Sequence, residues 1–257
     1  MTISYNWLKE YIDLPESPEE IAHTLTSTGL EVEGIHPYES VKGALKGLVI
    51  GEVLTCAKHP NADKLSVTTV DAGQGSPLHI VCGAPNVAAG QKVVVALTGA
   101  TLYPAHSEPF TIKNTKIRGE QSEGMICAED EIGLGDSHAG IMVLDTRADN
   151  GTPAADYFKI QSDSIIEIGL TPNRADAASH LGVARDIRAA KRRPVRWPVV
   201  DAFKVDNRKL PVEVVVDNAE ACTRYSGLTL SGLTVKESPD WLKSRLISIG
   251  LNPINNI

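Results

Sequence analysis

Short apolar runs rich in β-branched residues, with no helical pattern between them, dominate the middle of the chain. Gly, Pro, Asn and Asp separate these runs, and such residues favour turns. The runs cover residues 48–54, 65–70, 79–82, 93–97, 110–112 and 141–144. Strand-length runs at this spacing predict a small closed β-barrel, and residues 40–149 suffice for a five-stranded Greek-key barrel with extra loops.

A helical pattern precedes this strand-rich region. Apolar residues at 7, 8, 11 and 12 predict one face of a short helix. Ser17 and Glu20 then have the spacing of a capping box, and Pro18 fits the first position of a helix. Gly29 is a natural end for this second helix.

Helical patterns also follow the strand-rich region. Apolar residues at 177, 181, 184 and 187 predict a helix, with Asp176 as its N-cap. Residues 196–208 resemble a linker, residues 211–216 and 225–235 predict further strands, and a helix is expected from residue 240. Two or three strands and one helix cannot bury a core alone, so we expect the chain to stop inside a domain.

Composition excludes several classes of protein. The 257 residues are 42% hydrophobic and 22% charged, as in ordinary globular proteins. The apolar runs fall far short of the roughly 20 residues that a spanning helix needs, and residues 1–11 lack the pattern of a secretory signal. Four widely spaced cysteines fit a reducing cytosol. We therefore expect a cytoplasmic protein with no membrane partner.

The charge is unevenly distributed along the chain. The net charge of −7 argues against nucleic acid as a general partner. Residues 40–150 hold nine basic and twelve acidic residues, which argues against strong RNA binding by the barrel alone. Residues 174–208 hold nine basic and only four acidic residues, so a contact with a polyanion is to be sought there first.

Two short segments of the predicted barrel carry candidate RNA-binding side chains. One is the turn HPNADKL with its preceding lysine, and the other follows Phe110. If residues 110–118 form one strand, Lys116 and Arg118 share a face and Lys113 lies on the other. The alternative for the turn is a hairpin loop with solvated charges. The candidates are Lys58, His59, Asn61, Lys64, Lys113, Lys116 and Arg118.

The helix after residue 176 carries a candidate basic docking face formed by Arg185, Arg188, Arg192 and Arg193. Its arginines could bind phosphates. A solvated face, or a surface that docks on an acidic partner, is the commoner outcome for such a pattern. The sequence leaves these alternatives open.

No constellation typical of catalysis is present. The sequence contains no phosphate-binding loop, no dinucleotide fingerprint, no nucleophile elbow and no HExxH motif. Cys56 and His59 have no second close pair of ligands to complete a zinc site, so the cysteines are expected to be small buried hydrophobes. The acidic residues 129–131 are expected to form a solvated loop, and His180 to be a capping or packing residue.

Two segments of the barrel resemble the oligonucleotide-fold (OB-fold) tRNA-binding module of aminoacyl-tRNA synthetases and free-standing tRNA-binding proteins. Residues 51–69 read GEVLTCAKHPNADKLSVTT, and residues 117–134 read IRGEQSEGMICAEDEIGL. The flanks are similar to the β subunit of bacterial phenylalanyl-tRNA synthetase, because residues 170–185 read LTPNRADAASHLGVAR and the chain opens with WLKEYIDL. Residues 222–257 resemble the start of the editing domain in that family.

The resemblance implies an α+β multidomain fold. A helical domain formed by residues 1–39 and 150–208 would be split by an OB-fold barrel at 40–149. Residues 209–257 would form the truncated start of a β-rich α+β editing domain.

The resemblance also implies a function. This chain would contribute tRNA binding and subunit assembly to a phenylalanine–tRNA ligase, with tRNA(Phe) and the α subunit as partners in an α2β2 assembly. ATP and Mg²⁺ would serve the holoenzyme, whose α subunit carries the catalysis, and neither would bind this chain. The editing pocket would lie beyond residue 257. Two rival hypotheses are a stand-alone tRNA-binding module and a purely structural interaction module.

Overall fold

The computed structural model describes residues 1–104 and 107–257. The strands in this part of the chain are β1 (Thr2–Ser4), β2 (Glu31–Glu39), β3 (Leu48–Lys58), β4 (Ser66–Asp71), β5 (Leu78–Cys82), β6 (Lys92–Leu97), β7 (Thr101–Leu102), β8 (Phe110–Thr111), β9 (Thr115–Ile117), β10 (Glu120–Ser122), β11 (Gly124–Ile126), β12 (Val143–Leu144) and β13 (Ser162–Gly169). The helices are α1 (Tyr5–Tyr11), α2 (Pro18–Ser27), α3 (Ala154–Tyr157), α4 (His180–Lys191) and α5 (Asp240–Ser248). A short 3-10 turn covers Ala175–Ala177.

The chain divides into two units. Unit 1 comprises Met1–His36 and Ser164–Ile257, and unit 2 comprises Pro37–Asp163. The return to unit 1 thus comes at residue 164, whereas the sequence suggested residue 150. The later return has a local cause, because residues 150–153 bond back to β3: Gly151 N donates to Ile50 O and Ile50 N donates to Thr152 O, both at 2.8 Å.

Unit 1 is built on a core that both of its chain segments share. Helices α1, α2 and α4 pack with a three-stranded sheet in the order β1–β13–β2. Residues from the opening segment and from α4 lie in one buried cluster. The largest fully buried side chains of this cluster are Ile3, Leu8, Ile12, Ile21, Leu25, Leu30, Ile166 and Ile168.

The start of α2 has the predicted capping box. Glu20 N donates to Ser17 Oγ at 3.3 Å, and Ser17 N donates to Glu20 Oε2 at 2.9 Å. Pro18 occupies the first turn, where a missing N–H leaves no unsatisfied bond. This prediction is confirmed because the capping interaction depends only on residues close in sequence.

The start of α4 differs from the prediction. Ser179 is the N-cap, and its side chain accepts from Gly182 N at 2.9 Å. Asp176 instead belongs to the 3-10 turn and pairs with Arg174, with Nε–Oδ1 at 3.1 Å. The carboxylate of Asp176, which was expected to cap the helix, is therefore engaged in an ion pair with Arg174.

Unit 2 contains a six-stranded antiparallel sheet that curls into a nearly closed barrel. The strand order is β11–β6–β3–β4–β5, and β12 also pairs with β6. The edges approach each other where Glu123 N donates to His79 O at 2.8 Å and Val81 N donates to Ser122 Oγ at 3.2 Å. The curled sheet brings the loops at one end of the barrel together.

Both faces of the central strands are buried, which explains the unbroken apolar run in β6. Val94 and Ala96 lie in one buried cluster, while Val93 and Val95 lie in another on the opposite face. Alternate residues of a strand point to opposite sides, so a strand covered on both sides needs no polar alternation.

Residues 110–118 do not form one strand. Strands β8 and β9 are separate, and Arg118 has φ of +53° in the turn between β9 and β10. The predicted division of Lys116 and Arg118 from Lys113 by strand alternation is therefore wrong. Arg118 lies in a turn, so the alternation of side chains along a strand does not apply to it.

The segment after α4 carries less regular structure than predicted. Residues 196–239 form no strand or helix, so the strands expected at 211–216 and 225–235 are absent. These residues are largely exposed and have no pairing strand among the described residues, and a strand needs a partner for its backbone groups. Helix α5 lies where a helix was expected. None of the helices described is long and apolar enough to cross a membrane.

Candidate nucleic-acid interface

His59 holds together the turns at one end of the barrel. The residue is only 5% exposed, although the sequence suggested that its side chain would project toward phosphates. Asn61 N donates to His59 Nδ1 at 3.0 Å, and His59 Nε2 lies 3.1 Å from Ile117 O. Because Nδ1 accepts, Nε2 carries the proton and donates to the carbonyl. His59 is therefore a structural link between the β3–β4 turn and the β9–β10 hairpin.

Asn61 adds a second connection between the same two turns. Its Nδ2 donates to Arg118 O at 3.4 Å. Gly119 follows with φ of +103°, and a Cβ there would approach Asn61 Nδ2 at 3.8 Å, so backbone conformation rather than space calls for glycine. Asn61 thus contributes to the shape of the site and is not free to contact a ligand with both amide hydrogens.

Four cations lie within the two joined turns or in the strand residues next to them. Their side chains are exposed, and no salt bridge in the described part of the chain involves them. Asp63 and Glu120 are the acidic residues within the same two turns. We call this set the turn cluster, and it consists of Lys58, Lys64, Lys116 and Arg118.

Lys113 lines a groove of about 810 Å³ in the same unit, and none of the turn-cluster residues lines it. Phe110 also lines this groove and is 39% exposed, so one aromatic ring is available there. Ile117 lines the groove as well, and its carbonyl is the acceptor of His59. The groove and the turn cluster therefore share the β9 strand.

Electrostatics in the acidic segment differ from the sequence-based expectation. Asp130 is buried and lies 2.9 Å from His138 Nδ1, and this hydrogen bond raises the pKa of His138. Glu131 Oε2 accepts from Ala128 N at 2.7 Å. These carboxylates stabilise a loop and are not simply solvated. No pattern in the sequence indicated the Asp130–His138 pair.

The cysteines are buried or partly buried and unpaired. Burial raises the pKa of Cys82 and, far more, that of Cys127. A thiol whose ionisation is disfavoured is a poor nucleophile and metal ligand. Among residues 1–104 and 107–257, no group of three or more His, Cys, Asp or Glu side chains is arranged to hold a metal ion.

The candidate docking face on α4 separates into paired and unpaired arginines. Arg193 donates from Nη1 and Nη2 to the Glu16 carboxylate at 2.5 and 2.7 Å, so it is a structural ion pair. This pairing lowers the pKa of Glu16 to about 2. Arg185, Arg188 and Arg192 are exposed around a concave surface of about 920 Å³ and form no ion pair in the described structure.

Comparison with known proteins gives the barrel a family. Residues 48–153 match the family model described as "Putative tRNA binding domain". The match begins with β3 and ends where the chain bonds back to β3. Unit 2 therefore contains a tRNA binding domain.

Curated relatives match the entire chain, and two of them are described here. The phenylalanine–tRNA ligase β subunit of Bacteroides thetaiotaomicron is 58% identical over 262 residues, which cover 100% of this chain and 32% of the relative. That of Porphyromonas gingivalis is 54% identical over 264 residues, with the same coverage of 100% and 32%. By sequence, this chain is a relative of the phenylalanine–tRNA ligase β subunits. It spans about a third of the length of these curated relatives.

A solved structure was also found to be similar in part. The MetRS related protein from Pyrococcus horikoshii aligns with 41% of this chain and 85% of its own, at 20% identity and a TM-score of 0.30. A similarity at this level adds nothing to the assignment made from sequence.

Proposed function

We propose that this chain contributes tRNA binding and subunit assembly to a phenylalanine–tRNA ligase that charges tRNA(Phe). The observation that carries the proposal is the pair of turns joined by His59, which present four unpaired cations from the tRNA binding domain. Exposed cations with no internal carboxylate partner are available to neutralise phosphates.

Catalysis belongs elsewhere in this proposal. The α subunit of an α2β2 assembly carries amino-acid activation, and ATP and Mg²⁺ serve that site when they are bound. The proposal assigns neither group to this chain. The role of this chain is to bind and to position tRNA in the cytoplasm.

The domain assignment extends the same proposal. The curled antiparallel sheet of unit 2 supports its assignment as an OB-fold inserted into a helical domain, whose two segments share one buried core in unit 1. Residues 209–257 would begin the editing domain. Similarity across all 257 residues, not only across the barrel, makes a stand-alone tRNA-binding module the less favoured alternative.

Neutralising the turn cluster tests the proposal. Lys58, Lys64, Lys116 and Arg118 are changed together to Gln in the intact ligase, and the KM for tRNA and its dependence on salt are measured. We expect the KM for tRNA to rise and the salt dependence to become shallower, because each lost phosphate contact removes roughly 0.7 to 0.9 from the slope of log affinity against log salt.

A matched control removes the same charge from the same unit. Lys42, Lys46, Arg147 and Lys159 are also exposed, and they lie outside the two joined turns. Their combined change to Gln is expected to leave the KM for tRNA unaltered. Unchanged kinetics in both variants would indicate that the barrel is a spacer and would refute the tRNA-contact proposal.

A further inference from the structure

An unpaired arginine row follows one edge of α4 in unit 1, separate from the tRNA binding domain. It consists of Arg185, Arg188 and Arg192, and we use the term arginine row for these three. Their spacings of three and four residues place them along one face, at roughly 1.5 Å of rise per residue. All three line the same concave surface of about 920 Å³.

The neighbouring arginines form salt bridges with carboxylates, whereas the arginine row forms none in the described structure. Arg174 donates to Asp176 at 3.1 and 3.2 Å and to Asp186 at 2.7 Å. Arg193 is paired with Glu16. The carboxylates of Asp176 and Asp186 that border the concavity are therefore already engaged by Arg174. The charge of Arg185 also helps to lower the pKa of Asp176, but no salt bridge in the described structure involves the arginine row.

The backbone of Arg192 supplies an independent observation. Arg192 is the C-cap of α4 with φ of +55° and ψ of +35°, in the left-handed region. Glycine or asparagine is the usual choice there, because a Cβ is unfavourable in this conformation. An arginine is therefore not the residue that helix termination alone would favour. Its charge does suit the negative end of the helix dipole, which lowers the cost of keeping three cations together.

The lining of the concavity favours a phosphate ligand over a protein surface. Its apolar side chains are small, namely Ala189, Pro194 and Val195, and no aromatic ring of the described residues lines it. Stable protein interfaces usually contain a central apolar or aromatic cluster. Guanidinium groups with little apolar contact are instead suited to phosphates, which they bind through paired N–H donors.

We propose that the arginine row binds the phosphate backbone of RNA and forms a second tRNA contact, carried by unit 1. The inference rests on the proposed function, because it takes tRNA as the ligand. It goes beyond that function by assigning RNA contacts to the helical unit. The row would engage consecutive phosphates of one strand without reading bases.

The test uses the intact protein, purified with the subunits that accompany it. Arg185, Arg188 and Arg192 are changed together to Gln, which has nearly the same helix propensity as arginine. Lys204, Arg208 and Lys209 are changed to Gln as the matched control, since they are exposed cations of unit 1 outside the concavity. Circular dichroism and the thermal midpoint verify that each variant is folded. The dissociation constant for tRNA is then measured from about 50 to 300 mM salt.

The expected result is specific to the arginine row. The triple variant should bind tRNA on the order of 10- to 100-fold more weakly at low salt, with a slope shallower by roughly 2 to 3, while the control variant behaves as the wild type. If the wild type binds tRNA and the triple variant has the same slope, the inference is wrong and the proposed function stands. If the wild type does not bind tRNA at all, the proposed function fails as well.

Two further outcomes would assign the row to an acidic protein instead. One is the loss of a co-purifying subunit from the triple variant but not from the control. The other concerns competition for bound tRNA. Poly-L-glutamate would displace tRNA from the wild type as readily as polyuridylate does, but it would not do so from the triple variant. Either result would overturn the proposal of a phosphate site.

Discussion

Replacing His59 should uncouple the two turns that carry the turn cluster. In His59→Ala, the Asn61 N–H and the Ile117 carbonyl lose their partners at 3.0 and 3.1 Å. Each hydrogen bond contributes about 0.5 to 1.5 kcal/mol net, so the two together account for about 1 to 3 kcal/mol of local stability. Every 1.4 kcal/mol is tenfold in an equilibrium constant, and we therefore expect opening of this end of the barrel to increase between about 5- and 150-fold.

Two polar substitutions separate the contributions of the ring nitrogens. The side-chain oxygen in His59→Asn can take the place of Nδ1 and accept from Asn61 N, while the amide in His59→Gln can take the place of Nε2 and donate to Ile117 O. Protection of the Asn61 amide from hydrogen exchange should therefore be retained in the Asn variant and lost in the Ala and Gln variants.

The functional consequence follows from the geometry. All four cations of the turn cluster remain in His59→Ala, but they are no longer held in one arrangement, so the KM for tRNA should rise with little change in overall charge. Hydrogen exchange at Asn61 that is as slow in His59→Ala as in the wild type would refute the structural role given to this histidine.

Two interactions in unit 1 predict separate pH windows in which the stability of the protein changes. Glu16 has its pKa lowered from 4.5 to about 2, chiefly by its hydrogen bonds with Arg193, so its stabilisation is present above pH 4.5 and is lost as the pH falls toward 2. This stabilisation amounts to at most about 3 kcal/mol before solvent screening. The free energy of unfolding of Glu16→Gln should therefore depend less on pH between 4.5 and 2 than that of the wild type. His180 has its pKa lowered from 6.5 to about 4, first by burial and then by the charge of Arg245, so protons favour the unfolded chain and stability should fall as the pH drops from 6.5 to 4. The free energy of unfolding of His180→Gln, measured with denaturant, should change less between pH 6.5 and 4 than that of the wild type, by at most about 3 kcal/mol. An equally steep change in the variant and in the wild type would contradict this role of His180.

The buried position of His180 explains why a packing role was the better expectation for it. Its Nε2 accepts from Ser4 N at 3.0 Å, and its ring stacks on Trp7 with centroids 4.0 Å apart. A histidine at the first turn of a helix, followed by apolar residues, is typical of such packing, and the sequence contained no partner for catalysis.

Local chemistry in the sequence was sufficient for some of the regular elements. The Ser17–Glu20 box, the β-branched runs of the barrel and the apolar spacing of α4 depend on residues within a few positions of one another. Their conformations follow from side-chain sterics and from nearby backbone groups, which a sequence displays directly. The tRNA-binding resemblance likewise depended on contiguous residues, and it is now supported by the family match to 48–153.

Which charged and polar side chains stay unpaired depends on contacts between distant parts of the folded chain. His59 was expected to face solvent but bonds across 58 residues to Ile117, and Arg193 was expected on an open face but pairs with Glu16 across 177 residues. Such pairings depend on how distant segments meet in space, and residue type alone does not record that. The sequence determined where cations occur, and folding determined which of them remain exposed and unpaired.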